Sequence, residues 1–144
     1  MLPHKPRVFG RKDYQQFMVL SRMVRDLDFG IKMIGAPLVR EADGLALSSR
    51  NVRLTPENRM KALTISAALR TAAEEYKSAA VTDSSVARHK IMKAISEAGG
   101  VVDYVEIVAQ STLTAVPTLG VVPSVILVAA KFGSVRLLDN WEFT

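Results

Sequence analysis

Two stretches of the chain carry side chains suited to an anionic ligand. The first is Phe9-Gly10-Arg11-Lys12-Asp13-Tyr14-Gln15-Gln16. Gly10 lets a ligand approach the backbone. Lys12 can reach a phosphate, Asp13 can accept from ribose hydroxyls, and Gln16 lies one helical turn further along the same face. The second stretch is Asp43-Gly44-Leu45-Ala46-Leu47-Ser48-Ser49-Arg50-Asn51. Here two adjacent hydroxyls precede an arginine in a loop that contains a glycine. Hydroxyl and loop N–H groups donate to phosphate oxygens, and the guanidinium fork matches their geometry. Each stretch also has a plainer reading: a solvated helix start with a capping acid for the first, and a polar loop ahead of a helix cap for the second.

Other chemistries find less material. The chain has no cysteine, which excludes disulfides, thiolate metal sites and a cysteine nucleophile. Of its two histidines, His4 lies near the terminus and His89 inside a helical pattern, with no acidic ligands placed around either. No metal site and no histidine base is therefore expected. Asp103 and Glu106 fall on opposite faces of a predicted strand, which argues against a paired-carboxylate site.

The elements that must position these residues follow from periodicity. Arg7-Val8-Phe9 predicts a short strand ending at Gly10. Phe17, Leu20, Val24 and Leu27 line one face of a helix, with Asp13 placed as a first-turn acid that favours the helix dipole. Ile31-Lys32-Met33-Ile34 predicts a second strand, stopped by Gly35-Ala36-Pro37. Strand, helix and strand in this order form the βαβ pattern of a parallel sheet. Two strands do not make a free-standing sheet, so this piece reads as the edge of something larger.

Residues 38–54 show little periodicity and read as a long functional loop or linker. Thr55-Pro56-Glu57 is a helix start: hydroxyl cap, proline at the first position, early acid. The stripe Ile65, Leu69, Ala72, Tyr76 follows, widened by Met60, Leu63 and Ala67. A further helix opens at Thr82-Asp83-Ser84-Ser85, runs along Ala87, Ile91, Ala94, Ile95 and Ala98, and closes at Gly99-Gly100. Val101 to Ala109 and Ser124 to Ala130 predict strands, and Gly133-Ser134 predicts a two-residue hairpin turn into Val135-Arg136-Leu137-Leu138. The expected fold is α/β: a terminal βαβ unit, then a small α+β part with two helices on a mainly antiparallel sheet.

The 144 residues include 49% hydrophobic and 23% charged side chains, an ordinary globular composition that argues against disorder. Net charge is +5, and its distribution is uneven: residues 1–60 hold 11 Lys and Arg against 6 Asp and Glu, whereas residues 61–144 hold 8 of each. An anion such as a phosphate is the simplest partner for the basic part. A nucleic acid fits less well, because aromatic residues, at 6%, leave little for base stacking. No apolar run approaches the ~18 residues of a membrane span, and the N-terminus lacks the apolar segment of a signal peptide. The expectation is a soluble, cytoplasmic protein that binds neither membrane nor nucleic acid.

Taken together, Phe9 to Gln16, Arg22-Met23-Val24-Arg25-Asp26-Leu27, Arg40 to Asn51, Val102-Asp103-Tyr104-Val105-Glu106-Ile107-Val108 and Val135-Arg136-Leu137-Leu138-Asp139-Asn140 resemble the pantothenate synthetases (pantoate–β-alanine ligases). The resemblance runs from about Val8 to Asn140, in order. It implies a ligase in which the carboxylate of pantoate attacks the α-phosphate of ATP, giving pantoyl adenylate and pyrophosphate. The amine of β-alanine then attacks the adenylate and releases AMP. It implies a Rossmann-like N-terminal domain, like that of class I aminoacyl-tRNA synthetases, and a smaller C-terminal domain that closes over ATP.

Residues 1–38 would then be the remnant of the nucleotide-binding domain and 39–144 the C-terminal lid domain. Lys12, Ser48, Ser49 and Arg50 would hold the triphosphate and carry catalysis, and Gly10 and Asp13 would meet the ribose. Val39 and Leu47 would flank the adenine, and Gln16 would meet pantoate. Mg2+ is expected with ATP, its ligands outside this chain. The family enzyme is about twice this long. Its first half, which carries a two-histidine His-x-Gly-His signature, has no counterpart here, so the chain alone is expected to be inactive. Unpaired edges suggest self-association or a homodimer. The alternative is a non-catalytic domain that binds nucleotides or a partner without the enzyme's N-terminal half.

Overall fold

The computed structural model describes residues 5–143; His4 lies outside them. The chain runs β1 (Lys5–Gly10), α1 (Tyr14–Asp26), β2 (Ile31–Ala36), a short 3-10 helix (Ser49–Arg53), α2 (Pro56–Lys77), α3 (Ser84–Glu97), β3 (Val101–Ala109), β4 (Ser124–Phe132) and β5 (Val135–Phe143). The mixed α/β architecture and the order of its elements follow the expectation.

β1 and β2 pair in parallel, from Lys5 opposite Ile31 to Gly10 opposite Ala36, with α1 as the crossover. They form a two-stranded sheet with no third strand among the described residues. The consequence appears on α1. Its expected stripe is only partly covered: Phe17, Leu20 and Val24 are half-buried, and Leu27 is 59% exposed. Tyr14 is the one fully buried residue of that helix. Asp13 does not act as a first-turn acid. It sits at the cap position, outside the helix, and its side chain makes no capping hydrogen bond.

The remainder has its own core. β3, β4 and β5 form an antiparallel sheet in that order. β4 is the central strand, and its residues are buried at every position but Lys131, as a strand covered on both faces must be. α2 and α3 cover one face, packing Ile65, Leu69, Ile91 and Ile95 against Val105, Ile126, Val128 and Phe132. On the other face, Tyr14 packs with Val108, Val125 and Leu127, flanked by Met18 and Tyr104, and so docks α1 against the sheet.

The local signals act as read. The hydroxyl of Thr55 accepts from the Asn58 amide at 3.1 Å, and the Asp83 carboxylate accepts from Ser85 at 2.7 Å. Phe132 pairs with Val135 across the two-residue turn, where Gly133 takes φ +61°. One residue of the stripe is misplaced: Met60 is 70% exposed. No helix among the described residues is long and apolar enough to cross a membrane.

Residues 38–54 are not a linker. The backbone doubles back so that Arg40 bridges Ala46 and Leu47 donates to the Val39 carbonyl at 2.8 Å. Leu45, Ala46 and Asn51 are buried, and Leu45 belongs to the helix-covered core. The segment lacks a period because one side chain from a tight loop, rather than one face of a helix, enters the core.

Candidate functional site

The first cluster gathers where β1 ends and α1 begins. Gly10 faces open space: a Cβ there would meet no atom within 4 Å. Arg11 donates its amide to the Ala36 carbonyl at 2.8 Å, closing the end of the parallel pair. Lys12, Asp13 and Gln16 then line a cavity of about 240 Å³, whose other walls include Tyr104, Arg136 and Asp139. Asp13 and Gln16 are exposed, and Lys12 is partly buried. Burial pushes the Lys12 ammonium below its ordinary pKa; Asp13 and Asp139 oppose that shift, and Arg50 adds to it. Burial beside Glu142 raises the Tyr14 hydroxyl.

The second cluster sits on the braced loop after β2. Gly44, at φ +97°, allows the turn, and Asp43 accepts from the Leu45 amide at 3.2 Å. Asn51 donates to Glu41 at 2.7 Å and to the Ala46 carbonyl at 3.0 Å, and Arg59 of α2 holds both Glu41 and Asp43. Hydrogen bonds from Asn51 and Arg59 keep the Glu41 carboxyl below its usual range, and the Leu45 amide does so for Asp43. This bracing presents Val39 and Leu47 side by side and exposed, at 59% and 53%. Ser48 caps the 3-10 helix, its oxygen accepting from the Arg50 amide at 3.2 Å. Its O–H therefore remains a donor. Ser49 and Arg50 are exposed on that helix.

β5 joins the two clusters. Asp139 takes both guanidinium nitrogens of Arg40, at 2.8 and 2.9 Å. Asn140 donates to the main-chain carbonyls of Arg11, at 2.7 Å, and Lys12, at 3.1 Å. Glu142 pairs with Arg11 at 3.1 Å. Among the described residues, neither Lys12 nor Arg50 has a carboxylate within ion-pair distance, and the Arg50 charge bears on Lys12. Two cations without an ion-pair partner among the described residues, beside the Ser48 and Ser49 hydroxyls, can bind a polyanion.

The cavity brings together only part of the expected set. Lys12, Asp13 and Gln16 line it; Gly10, Val39, Leu47, Ser48, Ser49 and Arg50 do not. Arg40, Asp139 and Asn140 are absent from the expected site residues, although they belong to the quoted motifs. The same holds for Tyr104 and Arg136. Asp103 and Glu106 each take an arginine, Arg136 at 2.6 Å and Arg88 at 3.6 Å. His89 is exposed on α3. Among the described residues, no three His, Asp or Glu side chains gather to hold a metal ion.

A model of the family described as pantoate-beta-alanine ligase matches residues 2–142. The pantoate–beta-alanine ligase of Oryza sativa subsp. japonica is 55% identical over 138 residues, which cover 94% of this chain and 42% of that protein. The pantothenate synthetase of Anaeromyxobacter dehalogenans is 48% identical over 134 residues, 92% of this chain and 45% of its own length. Among solved structures, pantothenate synthetase from Thermus thermophilus superposes with a TM-score of 0.87 at 40% identity, over 96% of this chain and 49% of that one. The ligase of Francisella tularensis, crystallised with beta-gamma ATP and beta-alanine, gives a TM-score of 0.68 at 28% identity, over 96% and 43%. The chain thus spans about half the length of the relatives it matches. With nearly every residue inside the matched range, and both clusters within it, the chain belongs to the pantoate-beta-alanine ligase family.

Proposed function

We propose that this chain is the C-terminal part of an ATP-dependent ligase that joins pantoate and β-alanine into pantothenate. The observation that carries the reading is the pair of cations without ion-pair partners among the described residues, Lys12 and Arg50, on segments that β5 ties through Asp139–Arg40 and Asn140–Lys12. Residues 1–38 act as the end of the nucleotide-binding domain, and residues 39–144 as the part that covers the nucleotide.

In this reading Lys12, Ser48, Ser49 and Arg50 hold the triphosphate, and Gly10 and Asp13 lie at the ribose. Asp13 is free for that role because it makes no cap bond to its own helix. Val39 and Leu47 offer exposed apolar surface and backbone groups to the adenine, and Gln16 offers its amide to pantoate. A pantoate carboxylate oxygen attacks the α-phosphorus, and the bond to the leaving pyrophosphate breaks. Charge builds on phosphate oxygens, where preorganised donors act most strongly. The amine of β-alanine then attacks the acyl carbon, its proton is lost, and AMP leaves. Mg2+ enters with the nucleotide as part of the substrate.

The chain alone lacks donors for much of this chemistry, so it makes no pantothenate at a useful rate. The test is an assay of pantothenate and AMP with the purified 144-residue chain, then with the N-terminal half of a relative added. Activity only with both supports the reading. Steady turnover by the chain alone, or none with both while each part is folded, counts against it.

A further inference from the structure

We propose that two adjacent residues of β5, Asp139 and Asn140, are positioning residues that set the separation of the Lys12 and Arg50 cations. The proposal rests on the reading that those cations hold one triphosphate. Neither residue needs to touch it. Asn140 is 6% exposed and aims its amide at the carbonyls of Arg11 and Lys12. A side-chain amide has two N–H donors, and both are committed to the segment that carries Lys12.

Asp139, 4% exposed, grips Arg40 with both oxygens, and Arg40 also donates to the Gly44 carbonyl at 3.1 Å. Arg40 bridges Ala46, two residues before Ser48. The Asn140 main-chain N–H donates to the Asp139 carboxylate at 2.7 Å, fixing that side chain on its own strand. β5 is itself paired with β4 from Ser124–Phe143 to Phe132–Val135.

One rigid strand thus holds both segments at neighbouring positions, about 3.3 Å apart along the chain. The other tie, Arg11 to Glu142, lies nearer the solvent, with side chains 39% and 30% exposed, and constrains less. A buried carboxylate and amide would be poor choices for packing alone, since apolar residues of similar volume serve that purpose as well or better. Their directions are what packing would not require.

The test uses the 144-residue chain with ATP and AMP as probes, by calorimetric titration beside a thermal melt. Asn140→Ala and Asp139→Asn should each weaken ATP roughly tenfold, the size of one charge-assisted hydrogen bond, and leave AMP unchanged. In a Lys12→Ala background, Asn140→Ala should add nothing further. Asn140→Ser and Arg40→Lys stand in for any variant that fails to fold. If Lys12→Ala weakens ATP but the β5 variants bind it like the parent, the positioning role is wrong and the triphosphate reading stands. Equal losses with and without Lys12 also overturn it. If Lys12→Ala and Arg50→Ala leave ATP binding unchanged, or the parent does not prefer ATP to AMP, the triphosphate reading fails and this inference falls with it.

Discussion

Arg40→Met should destabilise the chain severely, and the loss should grow with pH. The Asp139 side chain is 3% exposed and that of Arg40 is 25% exposed, so the substitution leaves a carboxylate stranded out of water. Breaking a buried pair in this way costs about 3–5 kcal/mol. In a chain of this size that is a drop in Tm on the order of 10 °C. The exposed pair Arg22–Asp26, with side chains 74% and 51% exposed, makes a control worth about 0.5 kcal/mol or less.

The pH dependence has a definite sign. Burial, opposed by the Arg40 guanidinium, leaves the Asp139 carboxyl above its ordinary pKa. The folded state therefore keeps a proton there over a range where the unfolded chain has lost it. Stability from this group is fully present below the unfolded value, about 3.9, and is lost as pH rises through the folded value. Removing Arg40 raises the folded value further and widens that window. Thermal melts of parent and variant should nearly converge near about pH 4 and diverge toward about pH 7. A constant gap, or a gap no larger than that of Arg22→Met, refutes the argument.

In a ligase assembled with this chain, Lys12→Ala and Arg50→Ala should each slow single-turnover pyrophosphate release by about 10²–10³-fold with an unchanged melt. Ser49→Ala should cost less, because its hydroxyl is a neutral donor; parental rates for all three would reduce these clusters to polar loops. The isolated chain should self-associate through residues 5–36, where Val8, Phe29 and Ile34 are 66%, 52% and 38% exposed beside open strand edges. Light scattering that finds only monomer, with those amides well protected from exchange, would contradict this. Gly133→Ala should lower stability by about 1–2 kcal/mol, since φ is +61° and a Cβ would lie 2.6 Å from Asn58 Nδ2. A urea melt that matches the parent would show that the turn absorbs the methyl group.

What can be read from the chain itself is whatever short-range chemistry decides. Thr55 and Asp83 cap helices through bonds three and two residues away, and Gly133-Ser134 closes a hairpin between neighbours. The run from Ser124 to Ala130 is apolar at nearly every position because that strand is covered on both sides. Lys12, Asp13 and Gln16 share a helix start, so their meeting in one cavity is visible from spacing. The approach of Arg50 to Lys12 is not, since 38 positions separate them and neither residue's own neighbours record it. The burial of Leu45 and Asn51 is hidden in the same way. It depends on Arg59 of α2 and on a core built by distant strands. Asp139 and Asn140 lie just past the predicted strand Val135–Leu138, and their role is invisible locally because their partners lie 99 and 128 or more positions upstream. The reading of Asp13 as a first-turn acid fails because the helix begins one residue later than such an acid would require.

The ties that β5 makes also bear on the order in which the chain folds. They span 99, 128 and 131 positions, from Arg40 to Asp139, Lys12 to Asn140 and Arg11 to Glu142. Contacts this distant in sequence close large loops and are favourable only after nearer contacts have restricted the chain. The β4–β5 hairpin, turned by two residues, needs no such wait. The core should therefore condense first, with the site assembled last, as the two N-terminal segments reach a strand already in place. Substitutions at Asn140 should then speed unfolding while leaving the folding rate nearly unchanged, a φ-value near zero. Substitutions at Ile126 should slow folding itself.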